Sequence, residues 1–405
     1  MFSKLAVSAL AAATLASASS KSACTSSTFT IGTAAEATAI ASCDTLKGDV
    51  LISTNSDNTL DLSGPTAIYG DLTVKNNGAL ITLQSTSLAS ISGAFTLNNV
   101  TLLSTLNLPA LTSAGSISFQ SLPALNELTF TTGVSSADSV IVSDTFLGTL
   151  DGIDLDSVGT MDINNNRRLT KFDSSLKNLS SNLNIQANGA ELSVSLPNLS
   201  WIANMTIANV TEFSTPSLEV VNGSARFDSN YFTTFSAPNL TKADSGDISF
   251  INNPDLTNIT FPALKNIGGG LTIVNNTALE EISGFPKLST VGGAIKLGGN
   301  FSLVEFPALS DVKGTFTLSS TGDISDSCTT LKKDAPGSDG GNGDIQGKFT
   351  CTWNNPKANT GSTKGDSSSS SSGDSSSNSS SAAVNVHVNS AVMGLSFVGL
   401  LAQLL

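Results

Sequence analysis

A short strand-like pattern recurs along most of the chain at a nearly constant spacing. Each unit reads apolar, polar, apolar and leads into a turn that is often rich in Asn or Gly. The first apolar residue of each unit stands, in order, at Val50, Leu72, Phe95, Ile117, Val140, Met161, Leu183, Met205, Ala225, Ile248, Leu271, Ile295 and Phe316. Successive positions lie 20 to 24 residues apart. A fixed period of this size predicts a solenoid, whose coils bury their apolar faces by stacking on one another.

The residues within each unit favour strands and corners. Residues 261–276 read FPALKNIGGGLTIVNN: a Pro step, a Gly-rich corner, an alternating strand and an Asn turn. Pro lacks an amide donor and suits a corner, and Gly supplies the backbone angles of a sharp bend. The repeats contain no amphipathic helical pattern. We therefore predict an all-β fold, a right-handed parallel β-helix or solenoid of about 13 coils of about 22 residues over residues 47–320.

Asn recurs five residues after the first apolar residue in eight coils. The positions are Asn55, Asn77, Asn166, Asn188, Asn230, Asn253, Asn276 and Asn300. An Asn stacked on the same position of the next coil can bond the backbone of its own turn and the neighbouring amide. We interpret these residues as an inward-facing ladder. The alternative is that Asn is simply a common turn residue.

Four cysteines flank the repeats. Cys24 and Cys43 precede the first coil, and Cys328 and Cys351 follow the last. Of the three pairings, the local one is favoured because the two pairs lie at opposite ends of a long rod, and a bridge needs Cα atoms within about 7 Å. The spacings fit no zinc motif. This predicts disulfide-capped ends, with an N-terminal cap over residues 19–46 and a C-terminal cap over residues 321–355.

Both termini carry targeting patterns. Lys4, an apolar run over residues 5–15 and a small-x-small site at residues 16–18 predict a signal peptide over residues 1–18. Residues 356–381 are Ser-rich and are predicted to form a disordered stalk. Residues 382–405 end in an apolar tail shorter than the roughly 20 residues that span a bilayer. The pattern predicts a glycosylphosphatidylinositol (GPI) signal with attachment at Asn378 or Ser381; a tail-anchored helix is the alternative.

Eleven Asn-x-Ser/Thr sequons are consistent with a secreted glycoprotein. The predicted N-glycosylation sites are Asn99, Asn178, Asn198, Asn204, Asn209, Asn222, Asn239, Asn258 and Asn275. Asn300 is also a sequon, but its place in the Asn ladder predicts poor glycosylation. Asn209 and Asn275 lie one residue before the ladder register and are expected to face outward. The eleventh sequon, Asn378, lies in the stalk.

The chain offers little chemistry for catalysis. Its one histidine, His387, lies in the segment that GPI attachment would remove, which argues against histidine-based triads and imidazole metal sites. We predict no catalytic residue, no metal site and no cofactor. A net charge of -13 argues against nucleic-acid binding. Paired carboxylates that act on sugars remain an alternative, with Asp162, Asp228, Asp247, Glu280 and Glu281 as candidates.

Alternation within the strands predicts one outward stripe along the sheet. Its members are Thr73, Thr96, Ser118, Asp162, Asn184, Thr206, Arg226, Ser249, Thr272, Lys296 and Thr317. The candidate binding face for glycan or protein comprises Thr206, Arg226, Ser249, Thr272 and Lys296. The alternative is a solvated face that only keeps the strands soluble.

The whole arrangement resembles the fungal GPI-anchored cell-wall organisation proteins, whose coils are receptor L-domain-like and leucine-rich-repeat-like. Coils such as residues 267–288, the cysteine pairs and the C-terminal signal carry the resemblance. It implies a non-enzymatic surface glycoprotein required for wall organisation and integrity, at the outer leaflet of the plasma membrane or in the wall. It also implies wall polysaccharides or mannoproteins as partners, and no catalytic residues. A polysaccharide- or protein-binding module and a glycan-modifying enzyme are the alternatives. The chain lacks the cysteine-rich module of receptor ectodomains, so hormone-like binding is not expected.

Overall fold

The repeats form a parallel β-solenoid of about 13 turns, as predicted. The structure is a computed structural model that describes residues 24–359. All thirteen residues predicted to begin the strands pair in sequence order, from Val50 with Leu72 to Ile295 with Phe316. The predicted signal peptide, Asn378, Ser381 and residues 382–405 lie outside the described residues.

Each coil contributes to three ladders, here called main, side and back. The main and side ladders belong to one 21-stranded sheet, and the back ladder consists of smaller sheets. Six strands run through the side ladder and into the main ladder: Thr45–Ile52, Ser90–Asn98, Ser113–Leu122, Ser157–Asn164, Asn178–Gln186 and Trp201–Ala208. Register shifts interrupt several of these strands between the two ladders, and such bulges bend a sheet.

Other coils have separate side and main strands. These are Ala67–Tyr69 with Leu72–Lys75, Val220–Val221 with Ala225–Asp228, Lys242–Ala243 with Ile248–Ile251, Asn266–Ile267 with Leu271–Asn276, Thr290–Val291 with Ile295–Gly299, and Asp311–Val312 with Phe316–Ser320. Ser139–Thr145 lies in the main ladder. The back ladder contains Thr59–Asp61, Thr82–Gln84, Thr105–Asn107, Lys171–Asp173, Ser193–Ser195, Glu212–Ser214, Thr234–Ser236, Asn258–Thr260, Glu281–Ile282 and Leu303–Val304.

The apolar residues of all three ladders meet in one continuous core. The twelve main-ladder residues from Val50 to Ile295 and Phe316 itself are all at most 3% exposed. A column of phenyl rings fills the second half of the core, with neighbouring centroids 4.5 to 6.3 Å apart. Its rings are Phe213, Phe227, Phe235, Phe250, Phe261, Phe285, Phe306, Phe316 and Phe349. This burial explains why no coil is stable apart from its neighbours.

The inward Asn ladder exists for most of the predicted residues. Asn77, Asn166, Asn230, Asn253 and Asn276 are buried, and Asn188 is half-buried. Asn253 shows the pattern: its Nδ2 donates to the Phe227 carbonyl (3.2 Å) and to Asn276 Oδ1 (2.9 Å). Its Oδ1 accepts from the backbone and side-chain nitrogens of Asn230. The carboxamides therefore satisfy backbone groups that the turn leaves without ladder partners.

Two predicted ladder members are wrong. Asn55 is exposed, and Ser56 occupies the buried position instead. Asn276 pairs with Gly299 and not with Asn300, because the turn after Ile295 is one residue shorter. Asn300 is half-buried, and its Nδ2 donates to the Thr277 carbonyl (2.8 Å). The reason given for poor glycosylation of Asn300, its place in the inward ladder, is therefore removed.

A row of left-handed residues stands directly before the ladder positions. Ten non-Gly residues there have φ between 51° and 59°. They are Asn76, Asn99, Ser121, Asp144, Asn165, Ala187, Asn209, Ser229, Asn252 and Asn275. Asn tolerates this conformation better than most side chains because its short polar group bonds locally. The left-handed residue turns the chain so that the following residue points inward.

Both ends of the solenoid carry an extra strand, a helix and a disulfide. Thr25–Ile31 pairs with the first coil, and Phe349–Thr352 pairs with the last. Helix α1 (Ala34–Ile40) and helix α2 (Ser325–Leu331) pack buried residues against the core; the 3₁₀ turns Lys332–Asp334 and Gly337–Asp339 follow α2. The bridges Cys24–Cys43 and Cys328–Cys351 confirm the local pairing, with Cα atoms 5.6 and 5.8 Å apart. Between residues 24 and 359, no helix is long and apolar enough to cross a membrane.

We predict that Asn253→Leu lowers the free energy of unfolding by at least about 2 kcal/mol, because it leaves buried donors and acceptors of Asn230 and Asn276 without partners. The measurement is urea unfolding of the purified protein. Asn55→Leu is the matched control and is expected to change stability by less than about 0.5 kcal/mol, since Asn55 is exposed. Equal effects of the two substitutions would contradict the buried ladder.

The N-terminal helix supplies a pH-dependent prediction. The backbone N–H groups of Gly32 and Thr33, together with the Thr33 hydroxyl, lower the pKa of Glu36 from its usual 4.5. Because the folded pKa is lower, the stabilisation is present above pH 4.5 and is lost as the pH falls through the lowered value. Amide exchange in residues 32–40 should therefore accelerate on acidification, and Glu36→Gln should flatten that dependence. An unchanged pH profile in the variant would contradict this role of Glu36.

Candidate functional site

The predicted outward stripe exists as one continuous row along the main ladder. Each member pairs with the next, from Thr73 with Thr96 to Lys296 with Thr317. Ile141 fills the gap between Ser118 and Asp162 and was missing from the prediction. We call this stripe the first row.

A second outward row lies two residues further along each strand. It contains Lys75, Asn98, Gln120, Ser143, Asn164, Gln186, Ala208, Asp228, Ile251, Val274, Gly298 and Ser319. The sequence analysis considered only the first outward position of each strand and missed this row. Strand alternation at period two could have found it. The two rows together are called the front face.

Amides and hydroxyls dominate the middle of the front face and bond to one another. Asp162 Oδ1 accepts from Asn164 Nδ2 and from Asn184 Nδ2, both at 2.8 Å. Asn164 Oδ1 accepts from the Ser143 hydroxyl at 2.6 Å. Gln186 is exposed on the next coil. We call these five residues the amide cluster; their mutual bonds fix the orientation of the carboxylate and of two amides.

The five residues of the predicted binding face lie together in the first row, next to the amide cluster. Thr206 pairs with Arg226, and the row continues through Ser249 and Thr272 to Lys296. The Arg226 guanidinium forms an ion pair with Asp228 in the second row. The other second-row residues here are Ala208, Ile251, Val274 and Gly298. This half of the front face is therefore less polar than the amide cluster.

The carboxylates considered for sugar chemistry are distributed over different parts of the coil. Asp162 lies in the first row and Asp228 in the second, three coils further on. Asp247 Oδ1 accepts from the Gly270 amide at 2.6 Å. Glu281 begins a back-ladder strand and Glu280 precedes it. These positions do not assemble the five carboxylates into one site.

The nine predicted glycosylation sites all lie outside the front face. Asn99, Asn209 and Asn275 occupy the left-handed row at the turn. The other six, Asn178, Asn198, Asn204, Asn222, Asn239 and Asn258, are exposed on the side and back ladders and at the corners. No sequon Asn stands in either outward row between Thr73 and Ser319. None of the nine sequon Asn residues is therefore itself a front-face position.

A concavity lies at the C-terminal cap. It is an open groove of about 890 Å³ whose lining includes Lys332, Lys348, Phe349 and Trp353. A smaller concavity of about 550 Å³ lies between neighbouring coils and includes Glu280 and Glu281 in its lining. Among residues 24–359, no group of three or more His, Cys, Asp or Glu side chains is placed to hold a metal ion.

Comparison with known proteins identifies relatives over most of the chain. It is 36% identical over 327 residues to a cell surface GPI-anchored protein of Arthroderma benhamiae, covering 80% of this chain and 82% of the relative. It is 37% identical over 300 residues to protein ecm33 of Aspergillus fumigatus, covering 74% of each chain. The chain belongs to the Ecm33 family of fungal GPI-anchored cell-surface proteins. The resemblance noted from the sequence is thereby confirmed.

The Ecm33 family also includes the cell wall protein ecm33 of Schizosaccharomyces pombe, which is 33% identical over 280 residues, covering 68% of this chain and 66% of the relative. These names describe proteins of the cell surface and cell wall, which establishes that location and a cell-wall role for the present Ecm33-family chain. The names do not denote an enzymatic activity. No protein-family profile and no solved structure matches the chain.

Proposed function

We propose that this Ecm33-family protein organises the fungal wall without catalysis, by binding an uncharged wall polysaccharide along its front face. In this proposal the solenoid is a stiff support, and the glycans on its other ladders keep those surfaces from contact. Wall mannoproteins are the second class of partner. Binding to a mannoprotein polypeptide would be an outcome of the test below.

The observation that carries the proposal is the restriction of the sequons. Ten sequons lie within the solenoid, and the two outward rows of the main ladder contain none of them. These rows also have the registered, pleated surface of a parallel sheet, with rungs about 4.8 Å apart. A regular polymer can make the same contact on successive rungs of such a surface.

The distribution of carboxylates supports a non-enzymatic role. Glycoside hydrolysis requires two carboxyl groups across one scissile bond, about 5 to 9.5 Å apart. The candidates are dispersed over the front face, a corner and the back ladder, and Asp162 and Asp228 bond to neighbouring side chains. Carboxylates bonded in this way fix the orientation of the neighbouring side chains.

The targeting segments complete the proposal. We propose a signal peptide at residues 1–18, a Ser-rich stalk over residues 356–381 and a removed propeptide at residues 382–405. We also propose N-glycans at nine of the ten solenoid sequons, all except Asn300, and a GPI anchor on Asn378 or Ser381. After the anchor has been cleaved, mass spectrometry should show a C-terminal peptide that ends at one of these two residues. A peptide extending to Leu405 would contradict GPI attachment.

The central test is retention of the full chain, purified in detergent from membranes of a fungal host, on insoluble glucan, chitin and mannan. We expect retention on at least one polymer, reduced about tenfold or more in the double variant Ser249→Arg and Thr272→Arg, because two long cations would project from the first row while every sequon stays intact. Product formation is assayed in the same samples.

The matched control is Thr105→Arg with Thr234→Arg. Both residues are exposed Thr at the start of back-ladder strands, so this variant should bind like the unaltered protein. Failure of the unaltered protein to bind any polymer would overturn the proposed function. Released sugar that disappears on Asp162→Asn or Asp228→Asn would show an enzyme instead.

A further inference from the structure

The front face is not chemically uniform along the solenoid. Its two rows contain twelve residues between the coil of Phe95 and the coil of Met205, and Asp162 is the one charged residue among them. The others are Thr96, Asn98, Ser118, Gln120, Ile141, Ser143, Asn164, Asn184, Gln186, Thr206 and Ala208. Beyond this segment the rows contain the Arg226–Asp228 ion pair and then Lys296. A partner that covers the central segment must therefore be nearly uncharged and rich in hydrogen-bonding groups.

From this arrangement we infer that the amide cluster is a sugar-binding subsite for an uncharged hexose polymer. The inference rests on the proposed function and specifies where on the front face the polymer binds. Its centre is Asp162. The Oδ1 atom of Asp162 already accepts two amide hydrogen bonds, whereas no donor in the described part of the chain contacts Oδ2. That oxygen is available to a sugar hydroxyl.

The neighbouring side chains supply complementary groups in fixed positions. Asn184 uses Nδ2 for Asp162, which leaves its carbonyl oxygen as an acceptor. The Gln186 amide is exposed and offers both a donor and an acceptor. A sugar with adjacent hydroxyls needs such paired groups, and a hydrogen bond to an ionised carboxylate is among the stronger ones. Because the cluster is already oriented, binding loses little side-chain freedom.

An aromatic platform follows the strands of two of the three coils that supply the amide cluster. Phe146 follows Ser143 by three residues and is 43% exposed, although it is a large apolar side chain. The guanidinium of Arg168, four residues after Asn164, lies 4.6 Å from the centre of its ring. The Arg168 guanidinium makes a cation–π contact with the face of the Phe146 ring. An exposed ring is the kind of surface on which the apolar face of a sugar can pack.

The sharpest test uses a sequon that a single substitution creates on the front face. Gln186→Thr completes Asn-x-Thr at Asn184, so a glycan attached there would cover the amide cluster. Gln186→Val is the matched control, because it removes the same amide and has nearly the same size as Thr but creates no sequon. Both positions are on the surface, and peptide mapping verifies occupancy of Asn184.

Binding of the full chain in detergent is measured by calorimetry with soluble β-glucan, chitin and mannan oligosaccharides, which distinguishes the three sources of neutral hexose polymer. We expect Gln186→Thr to abolish binding, and Gln186→Val to weaken it less. Asp162→Asn should weaken binding about tenfold or more, since it removes the charged acceptor. Phe146→Ala should also weaken it. Unchanged melting temperatures verify that the variants fold.

The outcomes separate the subsite from the proposed function. If the unaltered protein binds a polymer and both Gln186→Thr, with Asn184 occupied, and Asp162→Asn bind equally well, then the subsite is wrong while the proposed function stands. If the unaltered protein binds none of the polymers, the proposed function itself fails. Binding that is lost in Ser249→Arg with Thr272→Arg but kept in both cluster variants would place the polymer on the C-terminal half of the front face.

Discussion

No coil of this protein can bury its own apolar residues, and the structure follows from that constraint. A coil of about 22 residues exposes its core on two sides until it is stacked, and the main-ladder residues then become almost fully buried. Stacking works only where each residue lies over its equivalent in the next coil. The spacing of apolar positions is therefore held within narrow limits, and each type of residue forms a row along the solenoid.

Because the coils stack in register, the same sharp turn has to be formed in every coil. Each turn after the main ladder has to change direction sharply, and the structure uses a left-handed residue for this in ten coils. Six of those residues are Asn, which tolerates that conformation. The next residue points into the core, where a backbone N–H of the adjacent coil needs an acceptor. A second Asn provides it, which explains the Asn-Asn pairs at Asn165–Asn166, Asn252–Asn253 and Asn275–Asn276.

Periodicity made the fold and the first outward row predictable, because strand alternation and coil stacking together determine which residues of each coil face outward. The local exceptions were not predictable in the same way. Asn300 has the expected offset, but the turn at Gly298 and Gly299 omits one residue, and an offset counted along the chain does not reveal that. The amide cluster required knowledge of both outward rows and of side-chain orientation, because Ser143, Asp162 and Asn184 come from three successive coils. Membership in the Ecm33 family establishes the location of the protein.

The disulfide at the C-terminal cap determines how the solenoid would carry a pull applied at the end of its C-terminal cap. A pull applied at residue 359 reaches Cys351, whose strand is the last of the solenoid. At Cys351 the force would act both on the backbone of the strand and, through the disulfide, on Cys328, which lies 23 residues earlier in the chain. The terminal strand consequently resists peeling away alone, and α2 and the phenyl column beneath it share the force. Force applied at this end would therefore act on the cap as a unit before it reached the coils beneath.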